Sequence, residues 1–245
     1  MNVYFRIALA DQVIGISALY EETRIFCRDY LTDEPASFHV EITPDDIAFE
    51  REKSDREAVM EGRVIVAYSD EYLETLALYR KIVERLLEWD ILLFHGSCIS
   101  MGGEAYLFTA RSGVGKSTHT RLWQKQFGSR AVIINDDKPL LKLHEQGVTV
   151  YGTPWDGKHR RSTNISCPLK SICILTRSEE NHILRIDKKA ALSMLCQQSY
   201  RPMDPVRLRK TLELIDRLGN KVALYKLGCN MQPEAAQIAY MGMNG

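Results

Sequence analysis

Phe108-Thr-Ala-Arg-Ser-Gly-Val-Gly-Lys-Ser-Thr118 is the stretch from which the rest of the chain can be read. An apolar, β-forming run, Ala105 to Thr109, precedes its turn, and a helix-forming run follows from near Lys116 through Leu122, Trp123 and Phe127 to Gly128. Strand, glycine-rich turn and helix in that order form a cradle for an anion. Gly113 and Gly115 let backbone N–H groups turn inward, and the helix N-terminus adds partial positive charge at the same point. Phosphate contacts are expected from Ser112, Gly113, Val114, Gly115, Lys116, Ser117 and Thr118. In that pattern Lys116 reaches the outer phosphates and the Ser117 hydroxyl ligates Mg²⁺. The sequence meets G-x-x-x-x-G-K-[ST] except at its first glycine, which is Ala110 here.

The composition around this stretch is globular. With 245 residues, 45% hydrophobic and 26% charged, the chain can form one large α/β domain, or one domain with a smaller appendage. No apolar run reaches membrane-spanning length, so no membrane partner is expected. Met1-Asn-Val-Tyr-Phe-Arg6 lacks the basic-then-apolar pattern of a signal peptide. The six cysteines, Cys27, Cys98, Cys167, Cys173, Cys196 and Cys229, form no C-x-x-C pair. Free thiols in a reducing cytoplasm are therefore expected, rather than a zinc site or a disulfide framework. Residues 1–90 carry 10 Lys+Arg against 20 Asp+Glu, and residues 91–245 carry 22 against 12. The positive part holds the phosphate loop. No basic run is interleaved with aromatics, so nucleic acid is not an expected partner.

Taken in order, residues 1–67 read as mainly β, with strands at 3–9, 13–17, 38–43, 47–50 and 64–68 and a short helix at 21–30. Thr43-Pro-Asp-Asp46 reads as a turn, and the charged residues 51–63 as a solvated loop. Ser69-Asp-Glu-Tyr72 opens a helix with an apolar stripe through Tyr72, Leu76, Tyr79, Val83 and Leu86, and Glu74 near its positive end. The division expected is a mainly β region at 1–68 and a nucleotide-binding domain at 69–245. A strand at 91–97 ends in His95-Gly96-Ser97, and Gly102-Gly103 turns the chain into the strand that feeds the loop.

Ala131-Val-Ile-Ile-Asn135 reads as a buried strand ending at Asp136-Asp137. Acids at the end of such a strand hold Mg²⁺ or act as a base. Only 20 residues separate Lys116 from Asp136, room for one helix and one turn, so a β-α-β crossover is expected. A hairpin at 140–152 then delivers Gly152-Thr-Pro-Trp-Asp-Gly-Lys158, which offers Asp156 and Lys158 as contacts, followed by Arg160-Arg161. Strands at 171–175, 183–186 and 222–227 and helices at 188–197, 204–218 and 233–241 complete the reading, with Gly219 placed past a helix end.

His95-Gly-Ser97, Ser112-Gly-Val-Gly-Lys-Ser-Thr118 and Ile133-Ile-Asn-Asp-Asp137, in that order and at that spacing, resemble the HPr kinase/phosphorylase and phosphoenolpyruvate carboxykinase group. The resemblance covers about residues 91–160 and is looser beyond. It leaves out residues 1–67, so neither that family's hexamer nor its HPr substrate carries over. It implies an α/β fold with a P-loop core on a mixed sheet. It also implies ATP and Mg²⁺ as cofactors, Lys116 on the β- and γ-phosphates, Ser117 on Mg²⁺ and Asp136 as general base. Asp137 assists Mg²⁺, His95 belongs to the active site, and Asp156 matches a second acidic metal contact. The function implied is phosphoryl transfer to a serine-type hydroxyl of a protein or peptide. A kinase of small metabolites and a nucleotide-binding sensor are the alternatives, and the oligomeric state is open.

Overall fold

The computed structural model describes residues 2–245, and its contacts divide the chain into two compact units, Met1–Arg85 and Leu86–Gly245. In the first, β1 (Val3–Leu9) and β2 (Gln12–Ala18) form an antiparallel hairpin through Ala10 and Asp11, both with positive φ. After α1 (Glu21–Phe26) comes β3 (Phe38–Glu41), which runs parallel to β2. Phe5, Ile7 and Leu9 alternate inward along β1, as a sheet buried on one face requires. Two helices complete the unit, α2 (Pro44–Met60) and α3 (Asp70–Leu86).

This unit corrects the mainly β reading. The expected strand at 47–50 and most of the expected loop at 51–63 belong to α2, which ends at Met60, and the expected turn holds its capping box. Thr43 Oγ1 accepts from the Asp46 amide, and an Asp46 carboxylate oxygen accepts from the Thr43 amide. Residues 64–68 form no strand, and Val64, Ile65 and Val66 are exposed. Glu74 is buried inside the unit, where it accepts from the Leu19 and Tyr20 amides at 2.5 and 3.2 Å and from the Thr23 hydroxyl. Among the described residues, no helix is long and apolar enough to cross a membrane.

The second unit is a mixed nine-stranded sheet with helices against it. It opens with β4 (Ile91–Leu93), β5 (Ser97–Met101) and β6 (Glu104–Thr109), followed by α4 (Lys116–Phe127) and β7 (Val132–Asn135). Next come β8 (Leu140–Leu143), β9 (Val148–Tyr151), β10 (Ser166–Arg177) and β11 (His182–Ile186). α5 (Lys188–Gln198), α6 (Pro205–Lys221), β12 (Ala223–Cys229) and α7 (Glu234–Asn244) close the chain. The strand order is β4-β8-β9-β10-β6-β5-β7, with β12 paired to β10 and β11 to β12. The long β10 joins the parts: residues 166–168 pair with β9, Leu169–Ile174 with β6, and Ser171–Arg177 with β12.

β5 is antiparallel to both β6 and β7, so β6 and β7 run parallel with α4 as their crossover and β5 between them. The expected single strand through His95 is instead two strands in different pairings, β4 with β8 and β5 with β6. Alternation along β6 feeds two cores. Ala105 and Leu107 join Phe94, Leu195, Leu214 and Leu218 on one face, while Tyr106 and Phe108 join Leu122, Trp123 and Ala239 on the other. Each such large buried side chain contributes about 1.5–3 kcal/mol. Gly219 lies inside α6 rather than beyond it, packed so closely that a Cβ there would meet the Lys188 side chain at 2.8 Å.

Candidate functional site

Three connections leave the sheet at one level. Ser97 starts β5 opposite Phe108, Cys98 pairs with Asn135 at the end of β7, and Thr109 ends β6 beside Ile174. The phosphate loop, the Asp136–Asp137 pair and the His95–Gly96 turn therefore emerge side by side. Hydrogen bonds fix them: Thr109 Oγ1 donates to the His95 carbonyl at 3.0 Å, Ser97 Oγ to the Asp136 carbonyl at 3.0 Å, and the Gly96 amide to the Asp137 carbonyl at 2.9 Å.

In the loop, Gly113 and Gly115 take φ of 76° and 121°, a region that side chains disfavour. Ala110 is buried and has no positive φ, so the residue in place of the first glycine sits in ordinary backbone. Its carbonyl accepts from Lys116 Nζ at 3.4 Å. Burial holds the Lys116 ammonium below its usual value, against the opposing pull of Asp137 and Asp136. Val114 packs its side chain on the core, and Ser112 is exposed. Arg177, three residues past Ile174 on β10, donates to the Gly113 carbonyl at 2.7 Å and tethers the loop tip.

Asp136 is buried, with Thr120 Oγ1 3.4 Å from its Oδ1. Asp137 is half-buried, and its Oδ1 lies 3.1 Å from His95 Nε2. Burial raises the Asp137 carboxyl, but the His95 hydrogen bond and the nearby positive charges of Lys138, His95 and Lys116 outweigh it and hold it below the usual range. Asn135 sets both acids in place. Its Oδ1 accepts from the Asp137 and Lys138 amides at 2.9 and 2.7 Å, and its Nδ2 donates to the Thr153 carbonyl at 3.0 Å. Gly152 enters this tight region because a Cβ there would strike the Thr163 carbonyl oxygen at 2.1 Å.

A cavity of about 330 Å³ opens between these parts. His95, Lys116, Ser117, Thr118, Asp136 and Asp137 line it, together with Gly113 and Gly115. Arg121 and His159 line it as well, and neither stood out in the sequence, although Arg121 follows Ser117 by one helix turn. Asp156 does not line it. It is buried, takes a hydrogen bond from Ser162 Oγ at 3.0 Å, and has Arg160 Nε 3.7 Å from its Oδ1, which accepts no hydrogen bond. Burial, with Asp136 nearby, raises its carboxyl above the usual value despite Ser162 and Arg160. Among the described residues, no group of three or more His, Cys, Asp or Glu is placed to hold a metal. A phosphate-bound Mg²⁺ needs less, since it keeps several waters and takes one or two protein oxygens.

No family model matches this sequence, and no curated protein matches it. Among solved structures, the chain is similar to the Hpr(Ser) kinase/phosphatase from Coxiella burnetii, at 11% identity and a TM-score of 0.34. The match covers 62% of this chain and 99% of that one. A likeness of this degree bears on neither substrate nor mechanism.

Proposed function

We propose that this protein is a Mg-ATP-dependent phosphotransferase that phosphorylates a serine-type hydroxyl of a protein or peptide. The observation that carries the reading is the shared cavity: a glycine-turned loop at a helix N-terminus, an under-solvated lysine and two carboxylates face one another across it. The loop amides from Gly113 to Thr118 and Lys116 fit a polyphosphate, and Ser117 with Asp137 fits its Mg²⁺. Bound Mg-ATP supplies the electrophilic phosphoryl group and divalent charge.

The chain's own residues do the rest. Lys116 neutralises charge on the phosphate oxygens, which is most of what phosphoryl transfer asks of a protein. Asp136, buried at the cavity wall, accepts the proton of the acceptor hydroxyl. Asp137 stays ionised through His95 and so remains a metal ligand. Asp156, with its raised carboxyl and its place outside the cavity, supports Asp136 rather than the metal.

The test is transfer from γ-labelled ATP to serine-containing peptides, alongside calorimetric titration with Mg-ATP. Lys116→Ala is expected to weaken Mg-ATP binding at least tenfold. If that variant binds as tightly as the parent, the phosphate-loop reading is wrong. If the parent binds Mg-ATP but transfers to no peptide, protein or metabolite hydroxyl, the chain is a nucleotide sensor.

A further inference from the structure

β6, β10 and β12 run parallel, with Ile174 beside Thr109 and Arg177 beside Cys229, so all three end at one edge of the sheet. The phosphate loop leaves β6 there. β10 continues three residues past the level at which β6 ends, ~10 Å of extended chain, and its last residue is Arg177. This overrun carries the guanidinium alongside the loop, where Nη2 donates to the Gly113 carbonyl at 2.7 Å.

That bond sets a peptide plane. The Gly113 carbonyl and the Val114 N–H belong to one planar unit and point opposite ways, so fixing the first directs the second. The Val114 amide faces into the turn, 3.3 Å from the Arg111 carbonyl, a long bond that an entering anion can replace. Packing does not hold Gly113 itself, since a Cβ there would meet no atom within 4 Å. Its φ of 76° lies where glycine moves freely, so the tip keeps its shape only through outside contacts. One is the Val114 side chain, packed on the cluster that contains Ala235 and Ala236, and the other is Arg177.

The arginine is itself anchored. Immediately past it, the Ser178 amide donates to the Cys229 carbonyl at 3.0 Å. Asn181 Oδ1 then accepts from the Asn230 amide at 2.9 Å, and Asn181 Nδ2 donates to Asn230 Oδ1 at 3.1 Å. Asn230 Nδ2 donates to the Glu179 carbonyl at 3.0 Å. The connections that follow β10 and β12 are thus latched to each other directly beyond Arg177.

We infer that Arg177 is a positioning residue for nucleotide binding, which holds the Gly113 carbonyl outward and keeps the phosphate loop shaped for a polyphosphate before one arrives, with the Asn181–Asn230 latch as its anchor. The inference rests on the phosphate-loop part of the proposed function and adds what presets that loop. A released loop is competent for a smaller fraction of the time, and affinity falls by that fraction. Because the effect passes through the loop alone, it is the same for any polyphosphate, with or without a nucleoside.

The experiment titrates the full chain with Mg-ATP and with Mg-tripolyphosphate by calorimetry, and follows amide hydrogen exchange of the nucleotide-free protein. Arg177→Met is expected to weaken both ligands about five- to tenfold, by the same factor. Exchange at residues 113–116 should quicken while the urea midpoint stays at the parental value, because the side chain is exposed. Arg177→Lys, which keeps a donor, should recover most of the affinity. Asn230→Ala should shift affinity and exchange in the same direction by less. Parental affinity in Arg177→Met would overturn the inference. A loss confined to Mg-ATP would do so too, placing the guanidinium on the nucleoside. Weakened binding with unchanged exchange would mean that Arg177 acts by its charge on the phosphates, and a lowered urea midpoint that its role is general stability; either overturns the inference. Asn230→Ala with parental affinity would remove the latch as the anchor. A parent that binds neither ligand overturns the phosphate-loop reading itself.

Discussion

His95 Nε2 lies 3.1 Å from Asp137 Oδ1, across the gap between the turn before β5 and the end of β7. This contact gives a polar residue on a tight turn a definite task. It orients the carboxylate and keeps it ionised against the burial that would raise it. On the proposed role of Asp137 toward Mg²⁺, His95→Ala is expected to lower transfer 10- to 100-fold, as when a group that orients a metal ligand is lost. A depressed carboxyl keeps its charge down to acid pH and loses it only as pH falls through the folded value. Without His95, its hydrogen bond and charge are lost while burial remains, so the carboxyl moves up from its depressed value. The acid limb of the kcat/KM profile should therefore shift to higher pH in His95→Ala. An unmoved limb would mean that His95 does not set the charge of Asp137.

Asp136 and Asp137 are neighbours with different surroundings, and the difference separates their roles. Asp136 is buried beside Thr120, whereas Asp137 is held by His95 and Asn135-ordered backbone. Asp136→Asn should reduce transfer about 10²- to 10⁴-fold with Mg-ATP affinity kept within a few-fold. Asp137→Asn should weaken Mg²⁺-dependent nucleotide binding as well. Paired calorimetry and labelled transfer would read both. Full transfer by Asp136→Asn would remove it as the base.

Asn135 joins three segments through five contacts: to the Asp137 and Lys138 amides, to the Thr153 carbonyl and hydroxyl, and to the Trp155 carbonyl. Its side chain is fully buried, so groups orphaned by its removal have no water to turn to. Asn135→Ala is expected to cost about 2–4 kcal/mol in urea unfolding. Because Asp137 is positioned through the same amide, transfer should fall by more than nucleotide binding does. A variant with parental stability would show that these contacts contribute nothing net.

What the sequence made legible follows from the range of the forces involved. The loop Gly113–Thr118, the hairpin at Gly102–Gly103 and the acids after β7 rest on local backbone chemistry, and each lies where it was expected. α2 was missed because few apolar residues mark a face. It is held instead by Arg80 on Glu50 and Asp46, Lys81 on Asp46, and the Arg80 guanidinium over Phe49. Those partners lie far off in the chain, and no periodicity announces them. Glu74 and Asn135 were obscure for the same reason, since the groups they satisfy belong to other segments. Ala110 departs from the motif at a position whose backbone has no positive φ, and a missing glycine matters for the backbone only where φ is positive.

His119 connects the phosphate loop to the core in a way that solution pH can read. It lies one turn into α4, buried, with its ring edge-on to Phe108 at 4.5 Å. The Trp123 indole donates to its Nε2 at 3.1 Å, so that nitrogen is unprotonated and the ring is neutral with its proton on Nδ1, which has no partner. Burial alone pushes the imidazole down to about 3. In the unfolded chain the same group titrates near ~6.5. Its contribution is complete above that value and is lost as pH falls toward 3, because the unfolded state then binds a proton that the folded state refuses. Between pH 6.5 and 5 the parent should lose about 2 kcal/mol from this source. His119→Phe removes the titration but orphans the Trp123 N–H, costing roughly 1–3 kcal/mol at every pH. The discriminating quantity is therefore the slope of unfolding free energy against pH, not its height. The variant's curve should be flatter by about 1.4 kcal/mol per pH unit through the lower part of this window. Parallel curves would mean that the ring is protonated, or exposed, in the folded protein.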